Sequence, residues 1–96
     1  MKLSAIVVDS SDNVATALHE LQMGESITVE VGNNKREVIL TESITKGFKF
    51  ALQNINQGQS VIKYGEVIGL ATKVIVRGQK VHIHNVEGQK GRGDKL

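Results

Sequence analysis

The sequence predicts a small, mostly β domain with one short helix. Three observations support this prediction: short apolar segments alternate with polar residues at strand spacing, glycine recurs between these segments, and the chain contains 10 Gly but no Pro. With 96 residues, the chain can build one core but has no room for a large enclosed pocket. We therefore expect a bent domain of folded-over hairpins, and no active site formed wholly within this chain.

The first predicted elements are a strand and the helix. Residues 3–8 form a short apolar run that is typical of a strand. Residues 9–12 offer several N-capping side chains, so the helix is predicted over residues 12–21. Its apolar positions keep helical spacing: Val14, Ala17, Leu18 and Leu21.

The next two segments predict a hairpin. Apolar and polar residues alternate strictly over residues 27–31, and residues 32–34, Gly-Asn-Asn, favour a turn. Residues 37–40 then return as a second strand.

A pattern of apolar-x-x-Gly-x-x-apolar recurs along the chain, at residues 21–27, 44–50, 55–61 and 75–81. Glycine can adopt the positive φ that a tight turn requires, and the flanking apolar side chains can anchor both sides of the turn in the core. These copies are too short for solenoid repeats, whose units are roughly 20 to 50 residues long. They predict short corners between strands.

Composition narrows the classes of function. The chain has no Cys, which excludes a disulfide, a thiolate nucleophile and a thiolate metal site, so a metal would have to use His, carboxylate or amide ligands. No apolar run approaches the roughly 20 residues of a membrane span, and no signal peptide is evident. We expect a cytoplasmic protein that does not bind membranes.

The charges do not favour a nucleic-acid partner. The formal net charge is +2, and the only local excess of basic residues falls in residues 89–96, which we interpret as a solvated basic polar tail. Only Tyr64, Phe48 and Phe50 could stack on bases, so we expect no nucleic-acid binding.

Residues 63–85 carry the polar residues that suggest chemistry. This stretch begins with Lys63-Tyr64-Gly65 and ends with His82-Ile83-His84-Asn85. If residues 81–85 continue as a strand, Val81 and Ile83 point to one face and the two histidines to the other. We therefore expect two imidazoles side by side on one surface.

Several motifs, taken together, resemble the small subunit or N-terminal domain of altronate dehydratase and its relatives, galactarate dehydratase and sulfolactate sulfo-lyase. The resemblance spans nearly the whole chain, and its most specific part is Lys-Tyr-Gly followed by Ile-Gly and then His-x-His-Asn. The matching segments are Asp12-Asn13-Val14-Ala15-Thr16-Ala17-Leu18, Ile44-x-x-Gly47-x-Lys49-x-Ala51-Leu52, Ile55-x-x-Gly58, Val61-Ile62-Lys63-Tyr64-Gly65, Ile68-Gly69-x-Ala71-Thr72 and His82-x-His84-Asn85.

The resemblance implies a β-clip domain of the SAF type over residues 1–88, working beside a larger lyase domain. In the dehydratases that larger part is usually iron-dependent and eliminates water from a sugar acid. One departure stands out: where the family commonly has Gly-His-Lys, this sequence has Gly47-Phe48-Lys49. If that histidine contacts substrate or metal in relatives, Phe48 alters specificity or activity here.

The candidate site residues each have an alternative role. His82 and His84 could act in catalysis or ligate a divalent metal together with a partner's ligands, or they could form the polar end of a strand. Lys63 could neutralise a substrate carboxylate or simply be solvated. Tyr64 could donate a hydrogen bond to the ligand or be a half-buried aromatic residue, and Asn85 could orient a substrate hydroxyl or end the strand through an Asx turn.

For Lys49, anion binding is the second choice, because a charged residue on an edge strand commonly serves to discourage aggregation. We favour the interpretation that this chain is the small subunit of a sugar-acid dehydratase and is inactive alone. A large subunit would complete the active site and supply most of the ligands of a divalent metal, which the resemblance implies is iron. The alternatives are a sulfolactate sulfo-lyase small subunit and a non-catalytic module that binds a sugar acid or assembles a complex. Whether the chain also forms a homo-oligomer is open.

Overall fold

The computed structural model describes residues 3–88, and within them every regular element is a β-strand. The strands are β1 Ala5–Ile6, β2 Val14–Ala17, β3 Ser26–Val31, β4 Asn34–Ile39, β5 Lys49–Ala51, β6 Ser60–Lys63, β7 Glu66–Ala71, β8 Lys80–Val81 and β9 Val86–Gly88. The mostly β prediction is confirmed. The predicted tail, residues 89–96, lies outside the described residues.

The strands form three antiparallel sheets. The first has the order β1-β2-β5-β8, the second is the β3-β4 hairpin, and the third has the order β6-β7-β9. The predicted hairpin is confirmed, with Val31 opposite Asn34 across a two-residue turn. No helix in the described part of the chain is long and apolar enough to cross a membrane.

The predicted helix over residues 12–21 is wrong. Residues 14–17 form β2, in which Val14 lies opposite Ala51 and Ala15 lies opposite Phe50. Both faces of β2 are covered, so its buried residues follow one another instead of alternating, and a continuous apolar run fits helical spacing as well as it fits a buried strand. Leu21, counted as the last helical position, belongs to the first glycine corner.

All four glycine corners are confirmed. The central glycines, at positions 24, 47, 58 and 78, have φ between 85° and 90°, and the apolar residues that flank them are at most 2% exposed. Such a φ at the third position of a turn is typical of type II turns and favours glycine. The corners associate in two pairs through isolated bridges, Leu21 with Ile44 and Ile55 with Ile75. Each pair lies in one of the two hydrophobic clusters of the core.

Candidate functional site

The Lys63-Tyr64-Gly65 segment forms the tip of the β6–β7 hairpin. Lys63 lies opposite Glu66, and the two residues between them have positive φ, 55° at Tyr64 and 79° at Gly65, as in a type I′ turn. Among the described residues, Tyr64 alone has a positive φ without being glycine, a conformation that costs about 1–2 kcal/mol. The Lys63 Nζ lies 4.9 Å from the centroid of the half-exposed Tyr64 ring. The predicted pair Lys63 and Tyr64 is thus presented together.

Two buried polar residues hold this hairpin. The Asp12 carboxylate accepts a hydrogen bond of 2.8 Å from the backbone N–H of Gly65. The Asn13 side chain accepts from the N–H of Ile62 at 2.7 Å and donates to the carbonyl of Ser60 at 2.9 Å. Asp12, predicted to cap a helix, and its neighbour Asn13 therefore fix the position of a turn that comes some fifty residues later.

The histidine segment is a loop, and the predicted strand through residue 85 is wrong. Strand β8 ends at Val81, and residues 82–85 turn, with the N–H of Asn85 donating to the carbonyl of His82 at 3.0 Å. Val81 is fully buried while Ile83 is 73% exposed, so the two apolar residues do not share a face. His82 is half-buried and His84 is exposed.

Asn85 closes this loop from within. It is completely buried; its Oδ1 accepts from the N–H of His82 at 2.9 Å, and its Nδ2 donates to the carbonyl of Lys80 at 2.8 Å. These bonds explain why the chain turns where alternation predicted a strand. The predicted contact of Asn85 with a substrate hydroxyl remains a prediction without support from the geometry, because the buried amide presents no surface to a ligand.

The Phe48 ring lies between His82 and Lys80. The Phe48 and His82 rings have centroids 4.6 Å apart and are inclined by 44°. The Lys80 Nζ lies 4.8 Å from the centroid of the Phe48 ring, a cation–π arrangement. Phe48, which stands where the family commonly has His, therefore contacts the predicted site residue His82.

Lys49 lies at the centre of the first sheet. Strand β5 pairs with β2 on one side and β8 on the other, and Lys49 is only 3% exposed. The prediction of an edge-strand role for Lys49 is therefore wrong, because strand order depends on distant pairings that local alternation does not reveal.

Five basic side chains from separate segments act on one another electrostatically, and we call them the basic cluster: Lys49, Lys63, Lys80, His82 and His84. Burial, and then the charge of Lys63, lowers the pKa of Lys49 below its ordinary 10.5. The pKa of His82 is likewise lowered below its ordinary 6.5. Burial is the largest cause, and the charges of Lys49, Lys80 and His84 lower it further. Near neutral pH, His82 is therefore an uncharged imidazole that can accept a proton.

Carboxylates also lie beside the basic cluster. Glu42 accepts a hydrogen bond from the backbone N–H of Lys80 at 2.9 Å, and Glu66 lies opposite Lys63 in the β6–β7 hairpin. Within residues 3–88, however, the one ion pair closer than 4.0 Å joins Lys35 to Glu30, on the β3–β4 hairpin. The lysines of the basic cluster therefore form no close ion pair with a carboxylate of the described residues.

The basic cluster suits an anion better than a metal ion. The described residues contain no group of three or more His, Cys, Asp or Glu side chains arranged to hold a metal. The charges that lower the pKa of His82 would also repel a divalent cation at its ring. The donor set of residues 3–88 does not by itself fit the predicted metal, so the tentative assignment of His82 and His84 as ligands would need acidic ligands from a partner.

One feature of the sequence indicates that Lys49 lies in a central strand. Residues 48–52, Phe-Lys-Phe-Ala-Leu, form a nearly continuous apolar run, as expected of a strand buried on both faces. A lysine within such a run lies in a central strand and not at an edge.

Comparison with known proteins gives the same family over the whole described domain. The profile of the altronate/galactarate dehydratase SAF domain matches residues 3–89. The altronate dehydratase of Escherichia coli strain K12 is 41% identical over 80 residues, covering 83% of this chain and 15% of that protein. The altronate dehydratase of Bacillus subtilis strain 168 is 35% identical over 89 residues, covering 88% of this chain and 16% of that protein.

A third relative differs in length. The (2R)-sulfolactate sulfo-lyase subunit alpha of Chromohalobacter salexigens is 29% identical over 93 residues, covering 94% of this chain and 99% of that subunit. This chain therefore spans only about a sixth of the altronate dehydratases but nearly all of the sulfo-lyase subunit.

Proposed function

The chain belongs to the family of altronate/galactarate dehydratase SAF domains, and on this premise we propose that it forms one wall of a sugar-acid dehydratase active site. A larger dehydratase part, as a separate large subunit, completes the site. The observation that carries the proposal is the basic cluster, which gathers three lysines and two histidines where a carboxylate-bearing ligand would dock. Because the chain spans 15% and 16% of two altronate dehydratases, most of the machinery would come from elsewhere.

The proposed reaction removes the proton α to a carboxylate and expels the β-hydroxyl, giving a 2-keto-3-deoxy acid. Lys63 stabilises the negative charge that grows on the carboxylate as the proton leaves. Tyr64, beside it at the hairpin tip, donates a hydrogen bond to the same substrate. The β-hydroxyl leaves as water after it takes a proton from the exposed His84, and His82, uncharged near neutral pH, accepts a hydrogen bond from that water.

The large subunit would supply the divalent metal, iron by family resemblance, and the base that takes the α-proton. The donor set of this chain argues against the metal being held here alone, so no step above uses it. A cytoplasmic location is part of the same proposal.

Sulfite elimination from a sulfolactate-like substrate is the second candidate. The lengths of the relatives favour it: the alignment covers 99% of the sulfo-lyase subunit but only 15% and 16% of the two altronate dehydratases. A sulfonate and a carboxylate are both anions, so the basic cluster would serve either chemistry.

Activity of the reconstituted complex tests the proposal. The neighbouring genes are searched for a large dehydratase-like subunit, the chain is purified alone and with that subunit, and each preparation is assayed with altronate, galactarate and sulfolactate. We expect no turnover by the chain alone and turnover of one substrate by the complex. Turnover by the chain alone would refute the division of labour, and a chain that joins no large subunit would indicate a binding or assembly module.

A further inference from the structure

An open groove of about 550 Å³ lies on a part of the surface that the proposed reaction does not use. Its walls come from β4, from the residues just before the Gly58 corner and from the Gly78 corner: Glu37, Ile39, Gln53, Asn54, Val76 and Arg77. None of the five residues of the basic cluster, all within the described part of the chain, lines this groove. The groove is therefore a second surface feature, separate from the candidate site.

The middle of the groove is apolar. Ile39 is 63% exposed on one wall and Val76 is 50% exposed on the other, and Val74, beyond the buried Ile75, is 57% exposed. A single exposed aliphatic side chain is ordinary, but two on facing walls with a third close by are typical of a surface that binds another protein. An open groove does not surround a small molecule as ligand pockets do, so a protein fits it better.

Opposite charges lie at the two ends of the groove. Glu37 precedes Ile39 on β4 by two residues, about 7 Å along the strand. On its other side Ile39 lies against the Gly78 corner, which carries Val76 and Arg77, because a Cβ at Gly78 would overlap the Ile39 carbonyl oxygen. Within residues 3–88, Glu37 and Arg77 form no ion pair with each other closer than 4.0 Å. The groove therefore runs from an acid through the apolar pair to a base.

Both charged residues are anchored in the free chain. The backbone N–H of Arg77 donates to the Asn54 side chain at 2.9 Å, which ties the two segments of one wall together. The Glu37 carboxylate accepts a hydrogen bond from the Ser26 hydroxyl on β3. Little ordering is therefore needed when a partner binds, which favours association.

We propose that this groove is the interface of a homodimer with two-fold symmetry. A two-fold axis through the apolar centre reverses the groove in the second copy, so Glu37 of each copy meets Arg77 of the other, and Ile39 and Val76 of both copies pack between these pairs. A surface with opposite charges at its two ends is complementary to itself, and this favours a second copy over the large subunit. The small apolar area implies a weak dimer.

Sedimentation equilibrium of the full chain, from micromolar to millimolar concentration, measures the dissociation constant of this dimer. The wild type should dimerise as its concentration rises. Ile39→Asp places charges at the apolar centre and should abolish the dimer, and Arg77→Glu brings acids together and should weaken it roughly tenfold or more. The double variant Glu37→Arg/Arg77→Glu reverses both charges and should restore the wild-type constant to within about threefold.

Two exposed residues outside the groove provide matched controls. Ile83→Asp is the same substitution as Ile39→Asp, at a side chain that is 73% exposed, and Lys73→Glu reverses a charge on the segment that carries Arg77. Neither control should change the dissociation constant by more than about twofold. Circular dichroism establishes that every variant is folded, and should Ile39→Asp not fold, the charge variants decide.

A wild type that stays monomeric throughout would overturn the proposal, and loss of large-subunit binding in Ile39→Asp would then assign the groove to that subunit. A dimer that survives both Ile39→Asp and Arg77→Glu, or is weakened as much by the controls, would place the interface elsewhere. A double variant no tighter than Arg77→Glu would overturn the two-fold pairing of charges. The equilibrium is measured without substrate, so its outcome is independent of the dehydratase assay.

Discussion

Three of the glycine corners differ from the fourth in one side chain. At the corners of Gly24, Gly58 and Gly78, the next residue is Glu or Gln, and its side-chain oxygen accepts a hydrogen bond of 2.7 to 2.9 Å from the backbone N–H that opens the turn. We call these bonds corner locks. At the corner of Gly47 the next residue is Phe48, which has no acceptor, and its ring packs on His82 instead.

The Gly47 corner keeps the shape of the other corners but lacks their side-chain hydrogen bond. The Gly47 corner keeps the glycine, its φ of 87° and the backbone hydrogen bond of its turn, so Phe48 is not needed for the shape of the corner. The difference is in what the residue after the glycine contacts. At the other three corners its side chain bonds to its own turn, whereas the Phe48 ring contacts His82 in the histidine loop. The following residue, Lys49, is the buried member of the basic cluster.

The largest effect is expected where a corner is both left-handed and crowded. A Cβ at Gly78 would overlap the backbone carbonyl oxygen of Ile39, whereas a Cβ at Gly58 would meet open space. Gly78→Ala should therefore lower the free energy of unfolding by at least about 3 kcal/mol, and Gly58→Ala by about 1–2 kcal/mol, the left-handed strain alone. Urea unfolding measures both, and equal losses would show that crowding at Gly78 has no part in stability.

Removing a corner lock should have a moderate effect. Gln59→Ala and Gln79→Ala each delete a side-chain acceptor, so we expect losses of about 1 kcal/mol in the free energy of unfolding. Gln57→Ala, at an exposed position of the Gly58 corner, is the matched control and should change stability by less than about 0.5 kcal/mol. Losses no larger than the control would show that the corner locks contribute nothing.

Converting the irregular corner into a regular one should cost less than about 1 kcal/mol of stability. Phe48→Gln can form the missing corner lock, worth about 1 kcal/mol, which offsets part of what is lost in the ring contact with His82 and in the packing of the half-buried ring against the first hydrophobic cluster. The clearer signal is the pKa of His82, which should rise toward its ordinary value because burial is the main cause of its lowering. An NMR pH titration of the His82 ring measures this change, and an unaltered pKa would mean that Phe48 does not shield the imidazole.

The smallest effect is a pH dependence of stability. Because the pKa of His82 is lower in the folded chain than 6.5, the unfolded chain takes up the proton first as the pH falls, and the fold loses stability below about pH 6.5. Above that pH both states are neutral and His82 contributes no slope. His82→Gln should reduce this loss. Identical acid profiles of wild type and His82→Gln would contradict the assigned cause.

Local rules explain what the sequence could predict. The β3–β4 hairpin and the four corners depend on a few neighbouring residues, such as the Gly-Asn pair at the hairpin and the single glycine of each corner, so their patterns were sufficient. The roles of Lys63 and Tyr64 remain predictions, but their joint presentation on a tight turn agrees with the motif that singled them out.

Two of the features that the sequence predicted wrongly depend on contacts between distant segments. Strand β2 resembled a helix because both of its faces are buried: Ala15 and Ala17 pack in one hydrophobic cluster and Val14 packs in the other. Neither these clusters nor the partner strands β1 and β5 are visible from residues 12–21. Lys49 was placed at an edge for the same reason. Alternation predicted a strand through the histidine segment. The segment turns because the Asn85 side chain bonds to the backbone of His82 and Lys80, and alternation of apolar and polar residues does not reveal such bonds.

The most direct test of the central claim is the kcat/KM of the complex with the large subunit, measured for His82→Ala/His84→Ala beside Gln59→Ala, a corner-lock variant away from the basic cluster. Circular dichroism and thermal unfolding first establish that both variants are folded. If the basic cluster is a wall of the active site, the double histidine variant loses roughly a hundredfold or more in kcat/KM while Gln59→Ala keeps the wild-type value. A folded double variant with unchanged kcat/KM, or an equal loss in Gln59→Ala, would remove these histidines from the site.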